Sequence, residues 1–315
     1  MVTLESVQTA ADRIRHDVIR TPLLVNETLD ASLGCRLFFK AENLQHTGAF
    51  KARGAANAVR NLTPQQADSG VVTHSSGNHA AALARMARRV GIAAHVVMPH
   101  NSSVMKINAV RSYGVEPIFC EPASDQREAK AAEVMQQTGA TMVHPFESHD
   151  VICGQGTMAL ELLEQVDDLD AVIVPVGGGG LLAGTLTSLK NTRPSIRVCA
   201  AEPAWADDTF RSLQSGQHEQ PARYDTIGDG LRTQVGQQTL PIIRQFLDDI
   251  FLVTETEIAE ATRTLIQHTR TIVEPSGAVA FAALSQQRSQ FAGQRVAVVI
   301  SGGNLDLSQG QYFRG

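Results

Sequence analysis

Disulfides and zinc ribbons find no framework in this chain of 315 residues. Its cysteines, Cys35, Cys120, Cys153 and Cys199, are scattered, with no C-x-x-C pair and no histidine at finger spacing. They read as reduced core thiols. No apolar run approaches the ~20 residues of a membrane helix, so a soluble protein without membrane contact is expected. The N-terminus carries Glu5 and Asp12 among apolar residues at helical spacing, unlike a secretory signal or an acid-poor transit peptide, so cytoplasmic residence is expected. A net charge of -5 and a pI near 6.1 provide no basic field for collecting phosphates, which argues against nucleic acid as a partner. Internal repeats and low-complexity tracts are absent. So are an H-E-x-x-H helix and a G-x-S-x-G elbow, which removes two common routes to hydrolysis. A small-molecule substrate remains.

What is present is an alternation of strand-like and helix-like segments. The β-branched runs at 71–75, 94–99, 171–176, 196–201 and 296–301 read as strands. Between them, HAAALARMARRV from 79, QREAKAAEVMQQT from 126, GTMALELLEQV from 156 and TEIAEATRTLIQHT from 256 have helical periodicity. Apolar strands without clean polar alternation, separated by helices, predict an α/β fold with parallel sheets covered on both faces. At roughly 150 residues per domain the length suggests two domains. The stretch from about 70 to 147 has three strand–helix units of its own and could close as a subdomain inserted in a larger sheet, a boundary that periodicity alone does not fix.

Three loops at strand carboxyl ends carry the chemical signal. In VPVGGGGLLAG, Gly177, Gly178, Gly179 and Gly180 let the backbone turn tightly and present successive N–H groups at a helix start, a phosphate site that needs no cation. A plain strand–helix turn needs only one or two glycines. No Lys-Ser or Lys-Thr pair closes the run, which excludes a P-loop. A rival is open: Gly178, Gly180 and Ala183 fit G-x-G-x-x-A, with Glu202 where a ribose-binding acid would sit, as in a nicotinamide (NAD) oxidoreductase. In THSSGNHAAAL, Ser75, Ser76 and the amides at the helix start can hold a carboxylate, although an ordinary N-cap looks the same. SGGN places Ser301 at a third strand end. Lys51 lies in HTGAFKARGAANAV, and composition does not distinguish it from Lys40. The close pairs His74 and His79, and His144 and His149, read as non-ligands.

In chain order, FFKAENLQHTGAFKARGA, VVTHSSGNHAAALA, HPFESHDVICGQGT, VPVGGGGLLAG, AAEPAWADD, DTIGDGLRT, IVEPSGA and SGGNLDL resemble the fold-type II pyridoxal-phosphate enzymes, within them the serine racemase and serine/threonine dehydratase branch. The resemblance spans nearly the whole chain. It implies a two-domain, tryptophan synthase β-like fold, with the large cofactor-binding domain from 1–69 plus 148–315 and a mobile substrate-binding domain from 70–147. It implies that Lys51 attaches pyridoxal 5'-phosphate as an imine and later serves as the base, that Phe50 backs the cofactor ring, and that Asn78 meets the phenolic oxygen. Gly177 to Gly180 would cradle the phosphate and Ser301 would face the pyridine nitrogen. A serine there does not force protonation of that nitrogen, which suits β-elimination and racemisation better than transamination. Substrate-carboxylate contacts fall on Ser75, Ser76, Asn78 and His79, with Arg127 and Thr233 joining across the cleft.

Two further details follow from the same resemblance. EPAWADD is similar to the racemase-type metal loop, in which Glu202, the Ala206 carbonyl and Asp208 offer oxygen ligands to magnesium, calcium or manganese; a solvated acidic loop is the plainer reading. Ser76 matches the opposite-face proton donor of racemases, where many threonine dehydratases carry alanine. Ala49 stands where serine is common, and Phe146 follows His144-Pro145 as in many dehydratases. The expected activity is therefore dehydration of L-threonine or L-serine to 2-oxobutanoate or pyruvate and ammonia, with racemase activity beside it, by a homodimer. Serine racemase or 3-hydroxyaspartate dehydratase as the main activity are the alternatives. The 315 residues leave no room for a C-terminal regulatory domain, so isoleucine feedback is not expected.

Overall fold

Residues 1–75 and 77–306 are described by the structure, a computed structural model. Its strands are β1 (Leu23–Leu24), β2 (Arg36–Ala41), β3 (Val71–His74), β4 (Ala94–Pro99), β5 (Ile118–Cys120), β6 (Thr141–Met142), β7 (Ala171–Pro175), β8 (Arg197–Pro203), β9 (Asp249–Val253) and β10 (Arg295–Ile300). Six of them form one sheet in the order β1-β2-β10-β7-β8-β9, parallel except at the β1–β2 edge. The other four form an all-parallel sheet in the order β5-β4-β3-β6, drawn entirely from residues 71–142. As the sequence pattern implies, the fold is α/β with parallel-rich sheets covered by helices.

The lack of polar alternation has a simple cause. Every residue of β7 is buried, and its side chains divide by parity between two cores. Ala171 and Ile173, with Val298 and Phe39, pack on the helix Pro275–Gln286 through Phe281 and Leu284. Val172 and Val174, with Val299, pack on the helix Gly180–Thr192 through Leu182 and Leu186. The small sheet repeats the scheme, with Val72 and Val97 against Ala131 on one face and Val96 and Met98 against Ala80 and Ala84 on the other. A further cluster joins Ile14, Ala56 and Val59 to Val71, Leu83 and Met86 and ties the small sheet to the helix Lys51–Arg60.

The segment expected to become helical at Gly156 begins earlier, as the helix His149–Gln165, capped by the Ser148 side chain. Glycines 154 and 156 mask its start, because glycine within a helix normally weakens it. Their purpose is close approach: a Cβ at Gly154 would stand 2.6 Å from the Arg53 carbonyl oxygen, and one at Gly156 would stand 2.8 Å from that of Gly184. This helix therefore packs against both the helix that starts at Lys51 and the helix that starts at Gly180. A Cβ at Gly184 would lie 2.5 Å from the Ile152 carbonyl oxygen and 2.6 Å from the Gly156 nitrogen, backbone atoms that cannot swing away. Gly184→Ala is accordingly expected to destabilise the fold by about 2 kcal/mol or more through overpacking, read as a lower midpoint of urea unfolding; an unchanged midpoint would show that the two helices separate freely.

Candidate active site

Strand β10 ends at Ile300, and the chain beyond it meets the segment before Lys51. Ala49 and Gly302 form an antiparallel bridge, and the Phe50 N–H donates to the Ser301 carbonyl at 3.1 Å. These contacts set the first turn of the helix Lys51–Arg60 at the carboxyl edge of the large sheet, where open α/β sheets bind ligands. The Lys51 amine donates to the Pro145 carbonyl at 2.8 Å and lies 5.1 Å from the centre of the Phe50 ring. Burial pushes its pKa down to about 8, so a useful fraction is uncharged and nucleophilic near neutral pH. Lys40 is different. Its amine is held by the Thr21 carbonyl, Glu161 and Gln165 at 3.0, 2.8 and 2.9 Å, inside the core. Geometry separates two lysines that composition does not.

Lys51 opens into a cleft of about 980 Å³ between the carboxyl ends of the two sheets. Phe50, Ser75, Asn78, His79, Arg127, Gly177 to Gly180, Thr233 and Ser301 all line it, so the residues singled out from widely separated motifs converge on one wall-to-wall site. Gly179 takes φ +83°, a left-handed conformation that favours glycine. A Cβ at Gly178 would collide with the Phe146 ring, and one at Gly177 would lie 2.9 Å from the Leu231 Cα. The Gly178 carbonyl accepts from the Gly236 N–H at 3.2 Å and the Thr239 hydroxyl at 2.9 Å. With that carbonyl tied to Gly236 and Thr239 at the start of the helix Gly180–Thr192, the loop has the backbone form that suits an anion at a helix N-terminus. Glu202, which the dinucleotide reading needs free for a ribose, is wholly buried, its carboxylate accepting the N–H groups of Thr209 and Phe210 at 2.9 Å each.

Asn78 begins the helix Asn78–Val90, and its side chain is held from both sides. Its amide donates to Glu274 at 2.7 Å and its oxygen accepts from Asn304 at 2.8 Å. Sequence reasoning misses Glu274, although it stands in IVEPSGA. Its carboxyl is buried beneath Gly302, where any side chain would displace it, and burial, with Asp229 nearby, raises its pKa to about 7. Ser301 is buried, its hydroxyl 3.4 Å from the Ser276 carbonyl it faces. On the opposite wall, Lys106 bonds to Asp229 across the cleft, a second contact that no local motif announces.

The loop after β3 carries the other expected contacts. The Ser75 hydroxyl accepts the Gly77 N–H at 3.3 Å, and Ser76 lies outside the described residues. The His79 ring is buried against the Val143 carbonyl at 3.0 Å and burial pushes its pKa down to about 3, so the ring carries no charge near neutral pH. Arg127 stands on the far wall with a buried Nε that has no partner among the described residues. Thr233 faces the glycine loop, its hydroxyl 3.2 Å from the place of a Gly177 Cβ.

The EPAWADD loop is not a solvated one. Glu202, Ala206 and Asp208 are all buried; Asp208 accepts the Val235 N–H at 2.6 Å with one carboxylate oxygen, and its other oxygen is buried without a partner among the described residues. Burial lifts the Asp208 pKa to about 7, and burial with the Asp208 charge alongside lifts that of Glu202 well above the usual range. Two adjoining buried carboxyls, one with an orphaned oxygen, fit a hard cation bound by oxygen. Among the described residues no cluster of three or more His, Cys, Asp or Glu side chains is gathered, so backbone carbonyls would have to complete its shell. No described helix is long and apolar enough to cross a membrane.

Comparison with known proteins agrees with this geometry. The family model for "Pyridoxal-phosphate dependent enzyme" matches residues 14–302. The chain is 44% identical over 98% of its length to a serine racemase of Dictyostelium discoideum, covering 96% of that protein. It is 43% identical over 98% of its length to a beta-hydroxyaspartate dehydratase of Paracoccus denitrificans, covering 98% of it. The solved structure of maize serine racemase superposes with a TM-score of 0.95 at 41% identity, covering 98% of this chain and 95% of that one. The matched span and the buried, bonded Glu202 leave no place for the nicotinamide reading: the chain belongs to the pyridoxal-phosphate dependent enzymes of fold-type II, in the serine racemase and dehydratase group.

Proposed function

We propose that this protein is an ammonia-lyase that dehydrates L-serine and L-threonine, releasing ammonia with pyruvate or 2-oxobutanoate, and racemises serine at a lower rate. The observation that carries the reading is the Lys51 amine, buried in the cleft with its pKa lowered to about 8 and bonded to one carbonyl. Pyridoxal phosphate, when bound, supplies the electron sink that lets the substrate α-carbon give up its proton. Gly177 to Gly180 would hold its phosphate, Phe50 would back its ring, Asn78 would meet the phenolic oxygen and Ser301 the pyridine nitrogen. Amides and hydroxyls from Ser75 to His79 hold the substrate carboxylate. Lys51 Nζ takes the α-proton. Elimination from an L-amino acid needs that one base, whereas racemisation needs a second group on the opposite face, a role we assign to Ser76. In this reading residues 70–147 move as the substrate-binding domain over a body built from 1–69 and 148–315.

A second reading rests on Arg127, whose unpartnered Nε suits a substrate with a second carboxylate, such as 3-hydroxyaspartate. The two are separated by assaying L-serine, L-threonine, D-serine and 3-hydroxyaspartate side by side, following oxo-acid release and, by chiral chromatography, serine configuration. Ser76→Ala is expected to keep most L-serine and L-threonine dehydration while suppressing D-serine formation. Equal loss of both activities would reduce Ser76 to a part of the carboxylate site, and a much higher kcat/KM for 3-hydroxyaspartate would make the second reading the function.

We also assign a magnesium, calcium or manganese ion to Glu202, the Ala206 carbonyl and Asp208. Two buried carboxyls, both pushed up by burial and Glu202 also by the Asp208 charge, become favourable once a cation lies between them. Chelation is expected to lower the melting temperature, and Glu202→Ala with Asp208→Ala to abolish the difference between magnesium and EDTA. Superimposable melting curves of the unaltered protein in the two buffers would remove the ion from the account.

A further inference from the structure

His144 follows β6 and stands in the cleft wall immediately before Pro145, whose carbonyl takes the Lys51 amine at 2.8 Å. Its ring is fixed in place and in protonation. Nδ1 accepts the backbone N–H groups of Phe146 at 3.3 Å and Glu147 at 2.8 Å, so the ring proton sits on Nε2. Edge-to-face contacts with His74, centroids 5.0 Å apart, and with Phe146, 4.7 Å apart, hold the ring plane. Burial, with His74 and Lys51 alongside, pushes its pKa down to about 3, so the ring is neutral at working pH. No described residue accepts from Nε2–H, on the side of the ring away from its backbone donors.

The geometry points to His144 as a catalytic residue whose Nε2–H donates a hydrogen bond to the β-oxygen of the substrate and assists its departure. This deepens the dehydratase reading and rests on it. The Cβ–O bond breaks with its electron pair going to oxygen, the oxygen takes up the proton that Lys51 Nζ removed from the α-carbon, and water leaves. His144 keeps its own proton throughout. A neutral imidazole is too weak an acid to protonate the leaving group, but a preorganised donor beside an oxygen that gains charge lowers the barrier without changing its own charge. The residue that takes the α-proton and the one that receives the β-oxygen are thereby fixed to each other through one peptide carbonyl, that of Pro145.

The test uses a leaving group that needs no proton. Chloride departs from β-chloro-L-alanine unprotonated, so the holoenzyme and its variants are compared on this substrate and on L-serine. If a donor at a developing oxyanion is lost, His144→Phe should lower kcat for L-serine by about 100-fold and for β-chloro-L-alanine by less than about threefold. His144→Gln, which retains an acceptor for the two amides and a donor for the oxygen, should restore much of the L-serine rate. The visible spectrum of the bound cofactor should not change in either variant. If His144→Phe does not retain that spectrum, His144→Met is read on the same ratio of substrates. Equal losses on both substrates, or no loss on L-serine, overturn the proposal alone. Unaltered enzyme that releases chloride from β-chloro-L-alanine but removes water from no β-hydroxy amino acid overturns the dehydratase reading and this proposal together.

Discussion

The guanidinium of Arg53, two residues past Lys51, is wholly buried, and the site depends on how it is paired. Glu42, at the end of β2, takes it in a two-pronged contact at 2.8 Å, and Glu161, on the helix His149–Gln165, takes it at 2.7 and 2.8 Å. Lys40 adds its amine to Glu161. Removing one partner from such a buried pair typically costs about 3–5 kcal/mol, because a desolvated charge is left unmatched. The first turn of the Lys51 helix is therefore pinned at once to the large sheet and to the helix that also packs against the glycine loop's helix. Close glycine contacts at 154, 156 and 184 complete this frame, so the lysine and the glycine loop are registered against a common support.

Within that frame burial sets the chemistry. Lys51 is brought to about 8, Glu274 to about 7 and His144 to about 3, each chiefly because the cleft excludes water from the charged form. The three shifts share one direction in chemical terms, toward neutral groups. An amine that is partly uncharged can attack a carbonyl carbon and accept a proton, a carboxyl near neutrality can hold Asn78 without imposing a full negative charge on the site, and a neutral imidazole can only donate from Nε2. Clusters of perturbed groups in a cleft are a mark of function, and here they coincide with the carboxyl ends of two parallel sheets.

Much of this is legible in the amino-acid sequence, and the boundary between what is and what is not has physical causes. Strands β3, β4, β7, β8 and β10 stand out because two-sided burial demands continuous β-branched runs, whereas the short edges β1, β5 and β6 are only partly buried and leave no such trace. The glycine loop and the loop after β3 are visible because their chemistry lies in the backbone and needs particular residue types in succession. Lys51 is not distinguishable from Lys40 by local pattern; resemblance to a family selects it, and the structure explains the choice by the three acceptors that occupy Lys40. Glu274 and the Lys106–Asp229 pair are out of reach because their partners come from distant segments, and His144 because the His74 ring and Lys51 amine that flank it do, although its backbone donors are local. The start of the helix at 149 is hidden for the same reason, its glycines being dictated by neighbouring helices that are remote along the chain.

The central claim is that Lys51, alone among the lysines, carries the cofactor. Borohydride reduction of the yellow holoenzyme, followed by proteolysis and mass spectrometry, locates the reduced adduct directly. The colour should be lost on reduction, and the pyridoxyl group should be found on the peptide containing Ala49, Phe50 and Lys51. An adduct on Lys40 or Lys106, or a protein that takes up pyridoxal phosphate without any reducible linkage, would overturn the assignment.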